Sequence, residues 1–226
     1  MVIALILAGG LGKRVGTEVP KQFLKINDVP VIAYTLKKFQ ECNKVDRICV
    51  VSHHDWIETV KKVIDKFNFN KVTWLVSGGQ TGLESVQNGI ISLSAQDDDD
   101  IIMIHDSVRP FITQTEIETN LEVAKTRDVA VTAVPCVETL VKVDGNGKST
   151  EQIPRDSLMR VMTPQSFRLG ILRSLFKANE ILDSQYPSTF ALYMSMGFPV
   201  YCSRGSERNI KITYPEDVEY LRHLFE

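Results

Sequence analysis

The run Val2-Ile3-Ala4-Leu5-Ile6-Leu7 is continuously apolar and ends at Ala8-Gly9-Gly10. It is too short for a typical helix and it stops at glycines, so it predicts a strand buried on both faces, as in a parallel sheet. Similar apolar runs follow at 47–51, 72–76, 101–104 and 129–134. Helical patterns lie between them, and this regular alternation predicts a parallel sheet covered by helices.

The helices are predicted where apolar residues recur at helical spacing. They are expected at 32–40, 56–67, 85–93, 114–125, 168–182 and 216–225. After Pro135 the pattern changes to a strand at 139–143, the turn Asp144-Gly145-Asn146-Gly147 and a second strand at 151–154. That hairpin projects from the α/β body or pairs with a partner chain. A further strand is expected at 200–203. No repeat or linker is visible, so residues 1–226 are interpreted as one domain with a β-arm at about 136–158.

The charge balance excludes several functional classes. The chain has 226 residues, 26 Lys+Arg against 28 Asp+Glu, and a formal net charge of -2. A nucleic-acid-binding protein would need a basic face to neutralise phosphates. No apolar run approaches the ~20 residues of a membrane span, and residues 1–10 lack the positive start of a signal peptide. The composition therefore predicts a cytoplasmic enzyme or binding domain.

The cysteines and histidines show no metal-site spacing. Cys42, Cys49, Cys136 and Cys202 lack a CxxC pattern and are expected to be free, mostly buried thiols. His53, His54, His105 and His223 likewise lack ligand spacing. The acidic run 97–100 is interpreted as a solvated loop.

The glycine-rich exit of the first strand is the first candidate site. Backbone N–H groups at such an exit can approach a polyphosphate closely. The segment is no P-loop, because Lys13 is followed by Arg14, and it is no dinucleotide fingerprint, because Val15 stands where the third glycine should be. It carries two cations, Arg14 and, beyond Pro20, Lys21, which suit a nucleoside triphosphate attacked at phosphorus. The alternative is a structural turn with solvated basic residues.

Leu7-Ala8-Gly9-Gly10-x-Gly12-x-Arg14 followed by Pro20-Lys21-Gln22-Phe23 resembles the nucleotidyltransferases that activate sugar and polyol phosphates. Further motifs in the same order narrow the resemblance to the cytidylyltransferase family that contains the 2-C-methyl-D-erythritol 4-phosphate and ribitol-5-phosphate enzymes. They are Gly78-Gly79 with Ser85-Val86-x-Asn88-Gly89, His105-Asp106-Ser107-Val108-Arg109-Pro110-Phe111, Thr163-Pro164-Gln165-Ser166-Phe167, and Asn209-Ile210-Lys211-Ile212-Thr213 with Pro215-Glu216-Asp217.

The resemblance implies a three-layer α/β/α, Rossmann-like nucleotidyltransferase fold whose projecting β-arm helps to build a homodimer. It implies a reaction in which CTP and a polyol phosphate give a CDP-polyol and pyrophosphate, with Mg²⁺ as cofactor. The attacking phosphate oxygen is already anionic near neutral pH, so catalysis reduces to aligning two anions and stabilising charge. No nucleic acid or membrane is expected as a partner.

The resemblance also implies roles for individual residues. The catalytic cations are Arg14, Lys21 and Lys211. The nucleotide-binding positions are Ala8, Gly9, Gly10, Gly12, Gly79, Gln80, Ser85 and Asp106, and Asp106 is also the metal position. The acceptor-binding positions are Arg109, Thr139, Arg155 and Thr163, with Arg155 coming from the arm of a neighbouring subunit.

Four departures from the family pattern concern the acceptor. Gly82 replaces a usual arginine, Pro187-Ser188-Thr189 stands where the family has Thr-Asp-Asp/Glu, Glu138 replaces the aspartate before Thr139, and Met162 replaces a glutamine. The first two changes each remove a charged group near the pocket. The segment 105–113 reads closer to the ribitol-phosphate branch, which favours a polyol phosphate used for cell-surface polysaccharide. Methylerythritol phosphate, used in isoprenoid biosynthesis, is the alternative.

Two other classes fit less well. A nicotinamide-dependent reductase would need the glycine that Val15 replaces. A degenerate nucleotide-binding domain predicts loss of Arg14, Lys21 or Lys211, and all three are present.

Overall fold

The computed structural model describes residues 1–10, 19–178, 186–214, 216, 217 and 219. Within them the strands are β1 (Val2–Ala8), β2 (Lys25–Ile26), β3 (Val29–Pro30), β4 (Arg47–Ser52), β5 (Val72–Ser77), β6 (Ile101–Asp106), β7 (Val129–Pro135), β8 (Leu140–Val143), β9 (Ser149–Ile153), β10 (Met159–Arg168) and β11 (Tyr201–Arg204). The helices are α1 (Val31–Glu41), α2 (Ile57–Phe67), α3 (Gly82–Ser92), α4 (Gln114–Arg127), α5 (Leu169–Ala178) and α6 (Thr189–Ser195). The main sheet has the order β11-β7-β10-β6-β1-β4-β5.

Strand β1 lies inside the sheet and is buried on both faces. It pairs in parallel with β4 on one side and β6 on the other. Its alternate residues enter different cores: Ala4 and Ile6 pack among residues of α1, α2 and α4, whereas Ile3 and Leu5 pack among residues of α3, α5 and α6. Because both faces are covered by apolar helix faces, an uninterrupted apolar sequence is what this strand requires. The predicted three-layer α/β/α architecture is confirmed.

The prediction of a parallel sheet is wrong at β10. This strand lies between β6 and β7 and runs antiparallel to both. Its inner part is buried from Met162 to Phe167 but includes Thr163, Gln165 and Ser166. These polar residues interrupt the apolar run by which a buried strand is recognised in a sequence. In the folded chain the side chains of Thr163 and Ser166 form hydrogen bonds with other elements.

The other elements follow the sequence closely, with small additions. The strand pair β2–β3 and the helix α6 were not predicted, and α5 begins at Leu169, one residue after the predicted start. Positions 179–182 and most of the predicted helix at 216–225 lie outside the described residues. No helix of the described chain has the length and apolar character needed to cross a bilayer.

The predicted hairpin is present as β8 and β9, which pair apart from the main sheet. Asp144 Oδ1 accepts hydrogen bonds from the backbone N–H groups of Asn146 and Lys148 at 2.9 and 3.0 Å, and Gly147 has φ 78°. The Cys136 N–H donates to the Leu158 carbonyl at 3.1 Å and so joins the two ends of the arm. Nearly all of its strand residues are exposed. The assignment of residues 1–226 to a single domain stays a prediction.

Two minor expectations need correction. The acidic run is not uniformly solvated, because Asp100 is buried and its Oδ2 accepts a hydrogen bond from the Asp97 N–H at 3.1 Å. All four cysteines are free as expected, but only Cys42 and Cys49 are buried, while Cys202 is exposed.

Asn120 of α4 connects the helix to three strands. Its side chain is fully buried, and its Nδ2 donates to Thr132 Oγ1 of β7, Pro164 O of β10 and Ser203 Oγ of β11 at 3.0–3.2 Å. Its Oδ1 accepts a hydrogen bond from Ser166 Oγ at 2.6 Å. One amide therefore satisfies the polar atoms that the antiparallel strand brings into the core.

Replacing this amide by an apolar group of similar size should destabilise the fold. Asn120→Leu leaves several buried polar groups without partners, and we expect the free energy of unfolding to fall by about 3 kcal/mol or more. Thr126→Ala, at an exposed position of the same helix, should change it by less than about 0.5 kcal/mol. Urea titration followed by circular dichroism measures both. An Asn120→Leu protein as stable as Thr126→Ala would contradict this role.

Candidate active site

An open cleft lies where β1, β4 and β6 end at their carboxyl edges. Ligands of open α/β sheets bind at this edge, because the loops there diverge to leave a crevice. The cleft encloses about 480 Å³. Its walls come from the β1 exit, the start of α3, the end of β6 and the segment after Asn209; they include Gly9, Gly10, Lys21, Gln22, His53, Gly79, Gln80, Thr81, Gly82, Ser85, Asp106, Ser107, Lys211 and Thr213.

The glycine exit of β1 is held by a residue that sequence reasoning passed over. Gln22 is buried, and its Nε2 donates to the carbonyls of Ala8 and Gly10 at 2.8 and 2.9 Å. Gln22 follows Lys21 directly, so the same short segment carries a predicted catalytic cation and shapes the glycine turn. The predicted Gly12 and Arg14 lie outside the described residues.

The second wall is the N-terminal turn of α3. Thr81 Oγ1 accepts the Glu84 N–H at 3.1 Å, and Ser85 Oγ accepts the Gly79 N–H at 3.2 Å. A Cβ at position 79 would lie 2.3 Å from Glu84 Cβ, so this close approach requires glycine. The Gln80 N–H also donates to Glu84 Oε2 at 2.7 Å. Three predicted nucleotide-binding positions, Gly79, Gln80 and Ser85, are thereby brought to one side of the cleft.

Asp106 ends β6 and faces two cations. Its Oδ2 accepts from Arg109 Nε at 3.0 Å, and Lys211 Nζ lies 3.1 Å from each carboxylate oxygen. Burial alone would raise the pKa of Asp106, but the charges of Lys211 and Arg109 outweigh it and lower the pKa to about 2. The carboxylate is therefore ionised at neutral pH.

Two buried residues hold Asp106 in place from behind. Thr163 Oγ1 accepts the Asp106 N–H at 3.2 Å and lies 3.1 Å from His105 Nδ1, while His105 Nε2 lies 3.3 Å from the Arg109 carbonyl. Every bond is satisfied when Thr163 donates to Nδ1 and the neutral ring donates from Nε2. Burial is the main reason that the pKa of His105 is lowered to about 3, so the ring stays neutral.

The predicted lysines approach the cleft from different parts of the chain. Lys21 is 8% exposed, and its Nζ donates to the Ile212 carbonyl at 2.7 Å. The Ile212 N–H donates in turn to Val108 O at 3.0 Å, which fixes the segment bearing Lys211 beside the end of β6. Residues separated by most of the chain are thus placed together.

The predicted acceptor-binding residues do not share one location. Arg109 is buried and is bound to Asp106 and, through Nη1, to the Asn209 carbonyl at 2.8 Å. Thr139 and Arg155 are exposed in the arm, where Arg155 Nη1 donates to Val137 O at 3.3 Å. Neither arm residue lines the cleft of the described chain.

His53 and His54, which lack metal-ligand spacing in the sequence, lie close to a carboxylate in the structure. His53, His54 and Asp55 bring one potential metal-ligand atom each within 4.8 Å of one another, just after β4. Adjacent residues do not match the spacings of familiar metal motifs, so this cluster could not be recognised from the sequence.

The chain matches a known enzyme family over nearly its whole length. The family model of 2-C-methyl-D-erythritol 4-phosphate cytidylyltransferase matches residues 2–224. The chain belongs to this family. It is 34% identical to a ribitol-5-phosphate cytidylyltransferase of Lacticaseibacillus paracasei over 98% of this chain and 97% of that protein. It is 39% identical to one of Vibrio parahaemolyticus over 96% and 92%. It is 37% identical to a 2-C-methyl-D-erythritol 4-phosphate cytidylyltransferase of Geotalea uraniireducens over 96% and 93%.

Solved structures agree with this membership. A crystal structure of a 4-diphosphocytidyl-2C-methyl-D-erythritol synthase superposes with a TM-score of 0.79 at 27% identity, covering 100% of this chain and 99% of the other. The synthase of Anaerococcus prevotii gives a TM-score of 0.87 at 20% identity, covering 100% and 98%, which shows the shared fold. This cytidylyltransferase therefore has the fold and the enzyme class that its motifs indicated.

The neutral His105 makes the stability of this cytidylyltransferase sensitive to acid. In the unfolded chain the imidazole of His105 is protonated near pH 6.5, whereas in the folded protein it is protonated only near pH 3. Because the unfolded state binds more protons in this window, stability is lost as the pH falls below about 6.5. Asp106, with a pKa lowered to about 2, adds a further loss only below its unfolded value of 3.8.

When the pH falls from about 7.5 to about 5, we expect protonation of His105 in the unfolded chain to lower the free energy of unfolding by about 2 kcal/mol. His105→Gln has no titrating ring and should lose correspondingly less over the same interval. Urea denaturation of both proteins at the two pH values measures the difference. An equal loss in the two proteins would rule out His105 as the cause.

Proposed function

We propose that this enzyme transfers the cytidylyl group of CTP to a polyol phosphate such as ribitol 5-phosphate, giving a CDP-polyol and pyrophosphate. The observation that carries the proposal is the convergence of Lys21 and Lys211 on one cleft beside the glycine exit of β1. Cations and backbone N–H groups meet there at a carboxyl edge of the sheet, as a triphosphate requires.

The reaction needs alignment and charge stabilisation more than a base. An anionic oxygen of the acceptor phosphate attacks the α-phosphorus of CTP, the new P–O bond forms, and the bond to the β-phosphate breaks to release pyrophosphate. Charge grows on the α-phosphoryl oxygens during this exchange. We assign Lys21, Lys211 and Arg14 to stabilise that charge, which is the main contribution a preorganised site makes.

Asp106 fits the expected Mg²⁺ ion as a partial ligand. Its carboxylate is ionised, and its oxygens retain lone pairs beyond those used by Lys211 and Arg109. Mg²⁺ commonly takes one or two carboxylates and completes its shell with phosphates and water. When bound, the ion would neutralise the triphosphate and improve pyrophosphate as a leaving group.

The turn at α3 suits the nucleoside part of CTP. We assign Gly79, Gln80 and Ser85 to the cytosine and ribose, because they form a narrow wall beside the glycine exit. Arg109 and Thr163, the predicted acceptor-binding residues near the cleft, each form a hydrogen bond with Asp106. We propose that they act on acceptor binding by orienting this carboxylate. The exposed arm carries Thr139 and Arg155, and we propose that it reaches the acceptor site of a neighbouring subunit in a homodimer.

Two features favour a ribitol-type acceptor. Gly82 lines the cleft, and a Cβ there would meet nothing within 4 Å, so this position offers space and no charge. Two of the relatives named above are ribitol-5-phosphate cytidylyltransferases. The CDP-polyol product would then be a precursor of cell-surface polysaccharide. Methylerythritol phosphate remains the second candidate because the matching family model and the Geotalea uraniireducens relative carry that name.

The acceptor is tested by pyrophosphate release from CTP and Mg²⁺ with ribitol, glycerol, mannitol, arabinitol and methylerythritol phosphates. We expect the highest kcat/KM with ribitol 5-phosphate, because two of the relatives named above are ribitol-5-phosphate cytidylyltransferases and Gly82 places no charge in the cleft. A higher kcat/KM with methylerythritol phosphate would assign the enzyme to isoprenoid precursor synthesis. Faster reaction with UTP or ATP than with CTP would refute the cytosine assignment.

Lys21 should be required for turnover. We expect Lys21→Ala to lower kcat by about 100-fold or more, because the variant loses a buried cation that faces the developing charge. Lys25→Ala removes an exposed lysine from the same segment and should leave kcat within about twofold. Circular dichroism verifies the fold of both variants. Near-normal turnover of Lys21→Ala would remove Lys21 from the catalytic set.

A further inference from the structure

A cluster of two imidazoles and a carboxylate lies on the rim of the cleft. His53 follows β4, lines the cleft and is mostly buried, with 20% of its side chain exposed. His54 and Asp55 follow it and are well exposed, at 68% and 65%. The ring centroids of His53 and His54 lie 4.2 Å apart, and one nitrogen of each ring lies within 4.8 Å of a carboxylate oxygen of Asp55.

The atoms of this cluster have the separations of metal ligands. His53 Nδ1 lies 3.4 Å from Asp55 Oδ2, and His54 Nε2 lies 3.1 Å from Asp55 Oδ1. A tetrahedral zinc ion with bonds of about 2.0–2.1 Å keeps neighbouring ligand atoms about 3.3 Å apart. The two separations from the carboxylate bracket this value, and all three ligand atoms lie within 4.8 Å of one another, so side-chain rotations can bring them around one ion.

The hydrogen bond at His53 is weak enough for a metal ion to replace it. His53 Nδ1 accepts a long hydrogen bond, 3.3 Å, from the Asp55 N–H. A metal ion at this nitrogen would exchange that long bond for a coordinate bond to the same lone pair.

From these contacts we propose that His53, His54 and Asp55 form a binding site for a transition-metal dication of the zinc class. Two imidazoles and one carboxylate suit Zn²⁺, Ni²⁺ or Cu²⁺ and disfavour Mg²⁺, which prefers oxygen ligands. The site is distinct from the Asp106 position assigned to Mg²⁺. Three protein ligands leave one coordination position for water. The proposal does not depend on the assigned activity.

Zinc binding is measured with the tag-free full-length protein by competition against a chromogenic zinc chelator near neutral pH. We expect one equivalent of Zn²⁺ to bind with a micromolar Kd. Loss of a ligand in His54→Ala or Asp55→Asn should weaken binding by at least about tenfold. Millimolar Mg²⁺ should not displace the zinc.

Asp65→Asn is the matched control, because it removes an exposed carboxylate from neighbouring α2 without touching the cluster. It should bind zinc as the unmodified protein does. Since His54 and Asp55 are exposed, circular dichroism and the melting temperature should be unchanged in their variants. Zinc affinity that persists in both His54→Ala and Asp55→Asn, or no binding in the unmodified protein, would overturn the proposal.

Discussion

The ionised carboxylate of Asp106 is the interaction on which the cleft depends. It ends the strand β6, and its charge holds Arg109 of the turn that follows and Lys211 from a distant part of the chain. Without these cations burial would raise the pKa of the carboxyl group, and without the carboxylate two positive charges would face each other. The hydrogen bond from the Asp106 N–H to Thr163 extends the same arrangement to the antiparallel strand β10.

Neutral hydrogen bonding behind the cleft complements this ionic group. His105 links Thr163 to the turn at Arg109 without carrying charge, and Asn120 satisfies the far side of β10. Buried polar groups of this kind are costly unless every member has a partner. A strand with a polar, buried centre is therefore tolerated between two apolar strands, and it places Thr163 next to the site.

Much of the architecture was predictable because each local pattern agreed with the global fold. Apolar runs separated by helical periodicity identified β1, β4, β5, β6 and β7 and the helices α1 to α5 to within a few residues. The turn 144–147 identified the arm. Strand β10 was missed because Thr163, Gln165 and Ser166 interrupt its apolar pattern, and its direction depends on pairing with β6 and β7.

The sequence by itself determined the layered α/β fold, the glycine exit after β1 and the family, because these depend on short-range periodicity and on motifs that stand in order along the chain. Only the tertiary structure decided which side chains meet. It places Lys21 against Ile212, Lys211 against Asp106, and Gln22 against the carbonyls of Ala8 and Gly10. It also gathers His53, His54 and Asp55 with the separations of metal ligands. Contacts between distant residues follow from strand order and burial, which no local pattern of residues encodes.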